Sequence, residues 1–241
     1  MDSGAIILAA GKGTRLRSHL PKPLVPVGGQ AMVLRIIESL RKAGVTKISA
    51  VVGHGADQLR ATLPADVATP YQEIRSGTAD AVACAEGSVE GVRCLFVLVG
   101  DSPLLSAEAL KKLYYEHCES GAACSFLTAN FGKHFPYARV LRDESGEVLG
   151  CVEERDCTAE QFEITEYLTS HYIFDADALW PFLEAIPRHT QTKERYLTDI
   201  IGLLLESGRR IHAVSIPDWR ELVGLNTPED VEWAEEVLSE V

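Results

Sequence analysis

Three apolar runs constrain the fold of this chain more than any other feature. Ala5–Ala9, Lys47–Val52 and Cys94–Val99 consist mainly of Ala, Ile, Val, Leu and Phe, with little polar alternation. Runs of this length and kind read as strands covered on both faces. Helical patterns fall between them. Met32–Lys42 places Val33, Ile36, Ile37 and Leu40 on one face, ends in Arg41 and Lys42, and has Gly44 beyond it. That is the order of an amphipathic helix with a C-terminal cap. Helices are also predicted near Ala56–Thr62, Gly77–Glu86 and Ala107–His117, with strands at Pro70–Glu73 and Ala122–Thr128. Strands alternating with helices at this spacing predict an α/β fold with a mostly parallel sheet flanked by helices.

The pattern changes in the second half. Ala138–Arg142 and Glu147–Glu153 alternate around Asp143–Gly146, a turn composition, which predicts a β-hairpin. With a further strand at Thr165–Phe174, this stretch reads as an antiparallel β arm beside the main sheet. Ala176–Ile186 is expected to be helical, although Pro181 within it weakens the case for one unbroken helix. Asp199–Glu206 reads as a helix and Ile211–Ile216 as a strand. A last helix starts at Thr227 as N-cap, with Pro228 in the first position and Glu229 and Asp230 after it. A length of 241 residues suits a single domain.

The formal net charge of -12 argues against a nucleic-acid-binding surface. Positive charge is nevertheless concentrated locally. From Ser3 to Ile37 there is no Asp or Glu, while Lys12, Arg15, Arg17, Lys22 and Arg35 all lie there. The 6 Cys form no C-x-x-C pair and have no His cluster beside them, which argues against zinc. No secretory signal and no membrane-spanning run is recognisable, so a reducing cytoplasmic location is expected, with no membrane partner.

Three motifs carry chemistry. In Leu8-Ala9-Ala10-Gly11-Lys12-Gly13-Thr14-Arg15, a buried strand runs into a glycine loop whose freed amides can meet phosphate oxygens. It matches neither G-x-x-x-x-G-K-[ST] nor G-x-G-x-x-G, because Leu16 occupies the last glycine position of the latter. In Pro21-Lys22-Pro23-Leu24, flanking prolines stiffen the backbone and limit where Lys22 points. In Gly100-Asp101-Ser102-Pro103, a carboxylate follows a buried strand, where open α/β sheets bind ligands. An Asp there can hold Mg²⁺ against a triphosphate, or it can serve as an ordinary turn residue.

Together with Gly77-Thr78-Ala79-Asp80-Ala81, these motifs stand in the order found in sugar-phosphate nucleotidylyltransferases. The chain most resembles the N-terminal pyrophosphorylase domains of the bacterial bifunctional N-acetylglucosamine-1-phosphate uridylyltransferases. Glu147–Asp156, Gln161–Tyr172, Tyr196–Ile201 and Gly224-Leu225-Asn226 extend the likeness over nearly the whole chain. The resemblance implies a Rossmann-like mixed sheet of the nucleotide-diphospho-sugar transferase type. It implies a nucleotide-binding half over 1–130 and an acceptor-binding half with the β arm over 131–241. Acetyl transfer, and the trimer built by an acetyltransferase domain, are not expected.

The resemblance also assigns roles. Leu8, Ala10, Gly11, Gly13 and Thr14 would surround the triphosphate, and Arg15 and Lys22 would assist catalysis. Gln72 would read the base, with Gly77 and Thr78 beside it. An amide offers donor and acceptor together, which suits the imide edge of uracil or thymine. Asp101 and Asn226 would hold Mg²⁺, and Glu153 and Thr198 would contact the acceptor. Two acceptor positions depart from the family: Leu168 replaces a sugar-contacting Asn, and Ala138 replaces a Gly near the N-acetyl group. The expected reaction joins a nucleoside triphosphate to a phosphorylated small molecule. UTP with a hexosamine or hexose 1-phosphate is the first reading. Thymidylyl transfer, cytidylyl transfer to a phospho-alcohol such as phosphocholine, and a non-catalytic nucleotide-sensing domain are the alternatives.

Overall fold

The structure is a computed structural model and describes residues 2–240. The chain opens on β1 (Ser3–Leu8), passes a small hairpin of β2 (Pro26–Val27) and β3 (Gln30–Ala31), and enters α1 (Met32–Lys42). β4 (Lys47–Val51), α2 (Ala56–Thr62) and α3 (Thr78–Ala83) follow. β5 (Cys94–Val99), α4 (Ala107–Ser120) and β6 (Cys124–Asn130) come next. The second half holds β7 (Ala138–Arg142), β8 (Val148–Val152), α5 (Ala159–Phe162) and β9 (Glu166–Asp175). It closes with α6 (Ala176–Ala185), α7 (Ile200–Glu206), β10 (Ile211–Ser215) and α8 (Pro228–Ser239).

Among the described residues, eight strands make one sheet in the order β10-β6-β9-β5-β1-β4, with β7 against β9 and β8 against β7. β1 pairs in parallel with β4 and β5, and β10 with β6. β9 runs against both β5 and β6, so one reversed strand makes an otherwise co-directional series mixed. β7 and β8 form the antiparallel arm. In the turn between them, Asp143 Oδ1 accepts from the N–H groups of Ser145 and Glu147, both at 2.9 Å.

The apolar runs lack polar alternation because the sheet is covered twice. Ala5 and Ile7 pack with Ile36, Leu40 and Leu110 from α1 and α4, whereas Ile6 packs with Val82, Leu179 and Leu204 from α3, α6 and α7. Each such side chain contributes about 1.5–3 kcal/mol relative to leaving it in water.

Several elements differ from the sequence reading. Pro70–Glu73 forms no strand; only isolated bridges join Ser49 to Ala68 and Val52 to Tyr71. Pro70 has no N–H to extend a ladder. The helix expected over Gly77–Glu86 spans only Thr78–Ala83, because Gly77 at φ 120° is outside helical space. α6 runs unbroken through Pro181. α8 starts as expected, with Thr227 Oγ1 accepting from Asp230 N–H at 3.2 Å and the Asp230 carboxylate accepting from Thr227 N–H at 2.9 Å.

The site-bearing strand ends are locked together. Leu8 and Val99 are register partners, Gly100 N–H donates to the Leu8 carbonyl at 3.0 Å, and Ala9 N–H donates to the Val51 carbonyl at 3.0 Å. A Cβ at Gly100 would stand 2.8 Å from the Leu8 carbonyl oxygen. Gly100→Ala is therefore expected to destabilise the protein by roughly 2 kcal/mol or more in urea unfolding; a wild-type midpoint would contradict this packing.

Candidate active site

The loop after β1 is held from two sides. His54 N–H donates to the Ala10 carbonyl at 3.2 Å, and Gly53 lies so close that its Cβ would stand 2.8 Å from that of Ala10. Gly13 takes φ 61°, and any side chain there would strike Lys22. The glycine loop and the Pro-Lys-Pro segment are thus packed on each other. Lys22–Leu24 forms a single 3₁₀ turn entered from extended Pro21. Gly55 in turn packs against the Pro21 ring.

That turn delivers the Lys22 ammonium to Asp101 Oδ2 and to Asn226 Oδ1, the latter at 2.7 Å. Arg15 donates to the same Asn226 oxygen at 2.9 Å. The Lys22 and Asp101 side chains are 13% and 22% exposed, so the pair is shielded but reachable. Asn226 is fixed in turn. Its amide nitrogen donates to the Gly224 carbonyl at 2.9 Å, and its backbone N–H donates to Asp230 at 2.7 Å. Leu225 N–H donates to the Asp101 carbonyl at 2.8 Å, and Gly224 N–H donates to the Tyr137 hydroxyl at 3.0 Å. Arg15, Lys22, Asp101 and Asn226, drawn from three distant segments, therefore meet at one point.

This point borders a cavity of about 300 Å³. Leu8, Ala10, Gly11, Lys22, Gln72, Gly77, Thr78 and Asp101 line it, all of them expected from the sequence. Gly13, Thr14 and Arg15 stand outside that lining, and Arg15 reaches the site through Asn226. Gln72 is 4% exposed and donates through its amide nitrogen to the Gly77 carbonyl at 3.1 Å, so its carbonyl oxygen is not used in that bond. Thr78 Oγ1 accepts from Leu197 N–H at 2.8 Å, tying α3 to the segment that carries Thr198. Arg75, Glu194 and Tyr196 also line the cavity and were not singled out in the sequence. Arg75 stands two residues before the Gly77-Thr78 pair, the nearest thing to a signal for it.

A second cavity of about 430 Å³ adjoins the first and shares Thr78 and Tyr196 with it. Glu153, Glu154, Arg155, Ser170 and Thr198 line it, so Glu153 and Thr198 come together. Ala138 and Leu168 do not reach it. They are 4% and 2% exposed, are register partners between β7 and β9, and face the core.

Asp101 and Asn226 offer a carboxylate and an amide oxygen, hard donors that already hold a cation, the Lys22 ammonium. No group of three or more His, Cys, Asp or Glu gathers to hold a metal among the described residues. Such a donor pair fits a divalent ion that completes its shell with phosphate oxygens rather than one caged by protein.

These features define an α/β domain with a glycine-loop cavity at the strand ends. The model of the MobA-like NTP transferase domain matches residues 5–191. The chain belongs to this family, a class of nucleotidyltransferases. It is similar to the bifunctional protein GlmU of Clostridium novyi (strain NT), at 40% identity over 99% of this chain and 52% of the relative. The protein of the same name from Heliobacterium modesticaldum is 38% identical over 98% of this chain and 52% of the relative. That of Syntrophotalea carbinolica is 40% identical over 93% and 49%. The chain spans about half the length of these curated relatives.

Burial pushes the Glu153 carboxyl above its ordinary range, against the lowering effect of the neighbouring Thr198 hydroxyl. A raised carboxyl pKa means that folding favours the neutral form. That contribution is complete below the unfolded pKa and is lost as pH rises through the folded one. Glu153→Gln is neutral at every pH, so it should melt higher than wild type near neutrality, with the gain shrinking toward about pH 4. Thermal unfolding across pH checks this; a pH-independent difference would contradict it.

Proposed function

We propose that the chain transfers a uridylyl group from UTP to a sugar 1-phosphate, such as N-acetylglucosamine 1-phosphate, and releases pyrophosphate. The observation that carries this reading is the meeting of Arg15, Lys22, Asp101 and Asn226 beside a cavity lined by the glycine loop and Gln72. Membership of the NTP transferase family supports it. The first half of the chain would hold the nucleotide, and the second half would supply the acceptor cavity and Asn226. The six cysteines are free, which suits a reducing cytoplasm.

The chemistry follows from charge. An oxygen of the acceptor phosphate attacks the α-phosphorus in line and the bond to pyrophosphate breaks. The acceptor is already ionised at neutral pH, so no side chain needs to remove a proton. The residues position two anions and neutralise charge. Amides of the loop after β1 cradle the phosphates, and Lys22 and Arg15 balance charge on the α-phosphate and leaving group. A divalent ion such as Mg²⁺, held by Asp101 and Asn226 with phosphate oxygens, would supply further neutralisation there. The Gln72 carbonyl oxygen accepts from the imide N–H of uracil, a donor that cytosine lacks.

Pyrophosphate release with Mg²⁺ over a panel of triphosphates and phosphorylated acceptors tests the reading. Release is expected with UTP and a hexose or hexosamine 1-phosphate, and more slowly with CTP. No release with any pairing would contradict it. In the productive pairing, Arg15→Ala and Lys22→Ala should each lower turnover by ~10²-fold or more, the scale of losing one charge-stabilising donor. Near-normal turnover in both folded variants would remove these roles.

A further inference from the structure

β9 loses step with its neighbours over three residues. Tyr172 pairs with Val97 of β5 and Phe126 of β6, whereas Leu168 pairs with Thr128 of β6 and Ala138 of β7. Thr169, Ser170 and His171 thus occupy a stretch in which β6 advances by Leu127 alone. Thr169 and His171 are buried, and the Thr169 hydroxyl and both His171 ring nitrogens have no partner. Between them Ser170 takes φ 62°, in the left-handed region.

A side chain is disfavoured in that region, and glycine would adopt the same backbone freely. The bulge alone therefore gives no reason for a serine. Residues held in such conformations cluster at ligand sites, where their surroundings over-determine them. Ser170 fits that description. It lines the second cavity with Glu153 and Thr198. The buried Tyr172 phenol, two residues on from Ser170, lies 3.4 Å from Thr198 Oγ1. The Glu153 carboxylate and the Thr198 and Ser170 hydroxyls thus belong to the lining of one cavity.

We propose that Ser170 is a specificity-determining residue for the acceptor, its hydroxyl pairing with Glu153 to bind a hydroxyl group of a polyhydroxylated phosphate. The chemistry is complementary. The ionised carboxylate only accepts, the serine hydroxyl donates, and a substrate hydroxyl does both, giving to Glu153 and taking from Ser170. A trimethylammonium group has no N–H or O–H and would make no use of the pair. This inference rests on the nucleotidyl-transfer reading given above.

The test compares wild type, Ser170→Ala and Ser170→Gly by pyrophosphate release at saturating UTP and Mg²⁺. N-acetylglucosamine 1-phosphate, glucose 1-phosphate and phosphocholine are varied, and melting temperatures are recorded alongside. Both variants should raise KM for the sugar phosphates by about tenfold, the scale of one hydrogen bond, with KM for UTP unchanged within about twofold. Ser170→Gly should melt a few degrees above wild type, because it relieves the backbone, and Ser170→Ala should not. Unchanged sugar-phosphate KM in Ser170→Ala, with wild type active, overturns the role of Ser170 alone. A wild-type preference for phosphocholine also overturns it, as does a Ser170→Gly protein that melts below wild type. Wild type inactive with all three acceptors overturns the transfer reading and this inference with it.

Discussion

The Lys22 ammonium bonds Asp101 and Asn226 at once, and the rest of the site is arranged so that it can. Lys22 comes from a proline-bracketed turn, Asp101 from the end of β5, and Asn226 from the segment just before α8. Backbone groups anchor the last two: Gly100 bonds to Leu8, Leu225 to Asp101, and Asn226 to the helix-capping Asp230. The result is a cluster of two cations, one carboxylate and one neutral amide, with positive charge left over. On the proposed reading, an incoming triphosphate competes for Lys22 and Arg15. Asp101 and Asn226 are then free to face a divalent ion, so the cations and their oxygen partners change places without moving the backbone.

On the proposed reading, each of the two cavities would take one anion. They share Thr78 and Tyr196, and the α3 start is tied to the Thr198 segment through Leu197 N–H and Thr78 Oγ1. Arg195 reinforces this joint. It donates to Asp80 at 2.6 Å, and its backbone packs against Gly77 so closely that no side chain fits there. These contacts tie the two cavities together, and positioning two reactants against each other is the main catalytic contribution the proposed chemistry asks of the protein.

What could be read from the sequence was local. Buried strands showed as unalternating apolar runs, the β7–β8 hairpin showed through its turn residues, and the α8 start showed through Thr227 and Pro228. The glycine loop, Lys22 and Asp101 were legible for the same reason, since each sits where short-range backbone chemistry marks it. Arg75, Glu194 and Tyr196 were not, because their place at the cavity depends on long-range packing of loops. Strand register was equally invisible. The pairing of Ala138 with Leu168 turns both side chains into the core, while the two-residue register slip in β9 accompanies the placing of Ser170 at the acceptor-side cavity.

Binding of Mn²⁺ followed by electron paramagnetic resonance, with and without UTP, tests most directly whether the oxygens of Asp101 and Asn226 serve a metal–nucleotide complex. Wild type should bind Mn²⁺ much more tightly when UTP is present, and Asp101→Asn should lose most of that gain. Equal Mn²⁺ affinity of the two folded proteins in the presence of UTP would contradict the account.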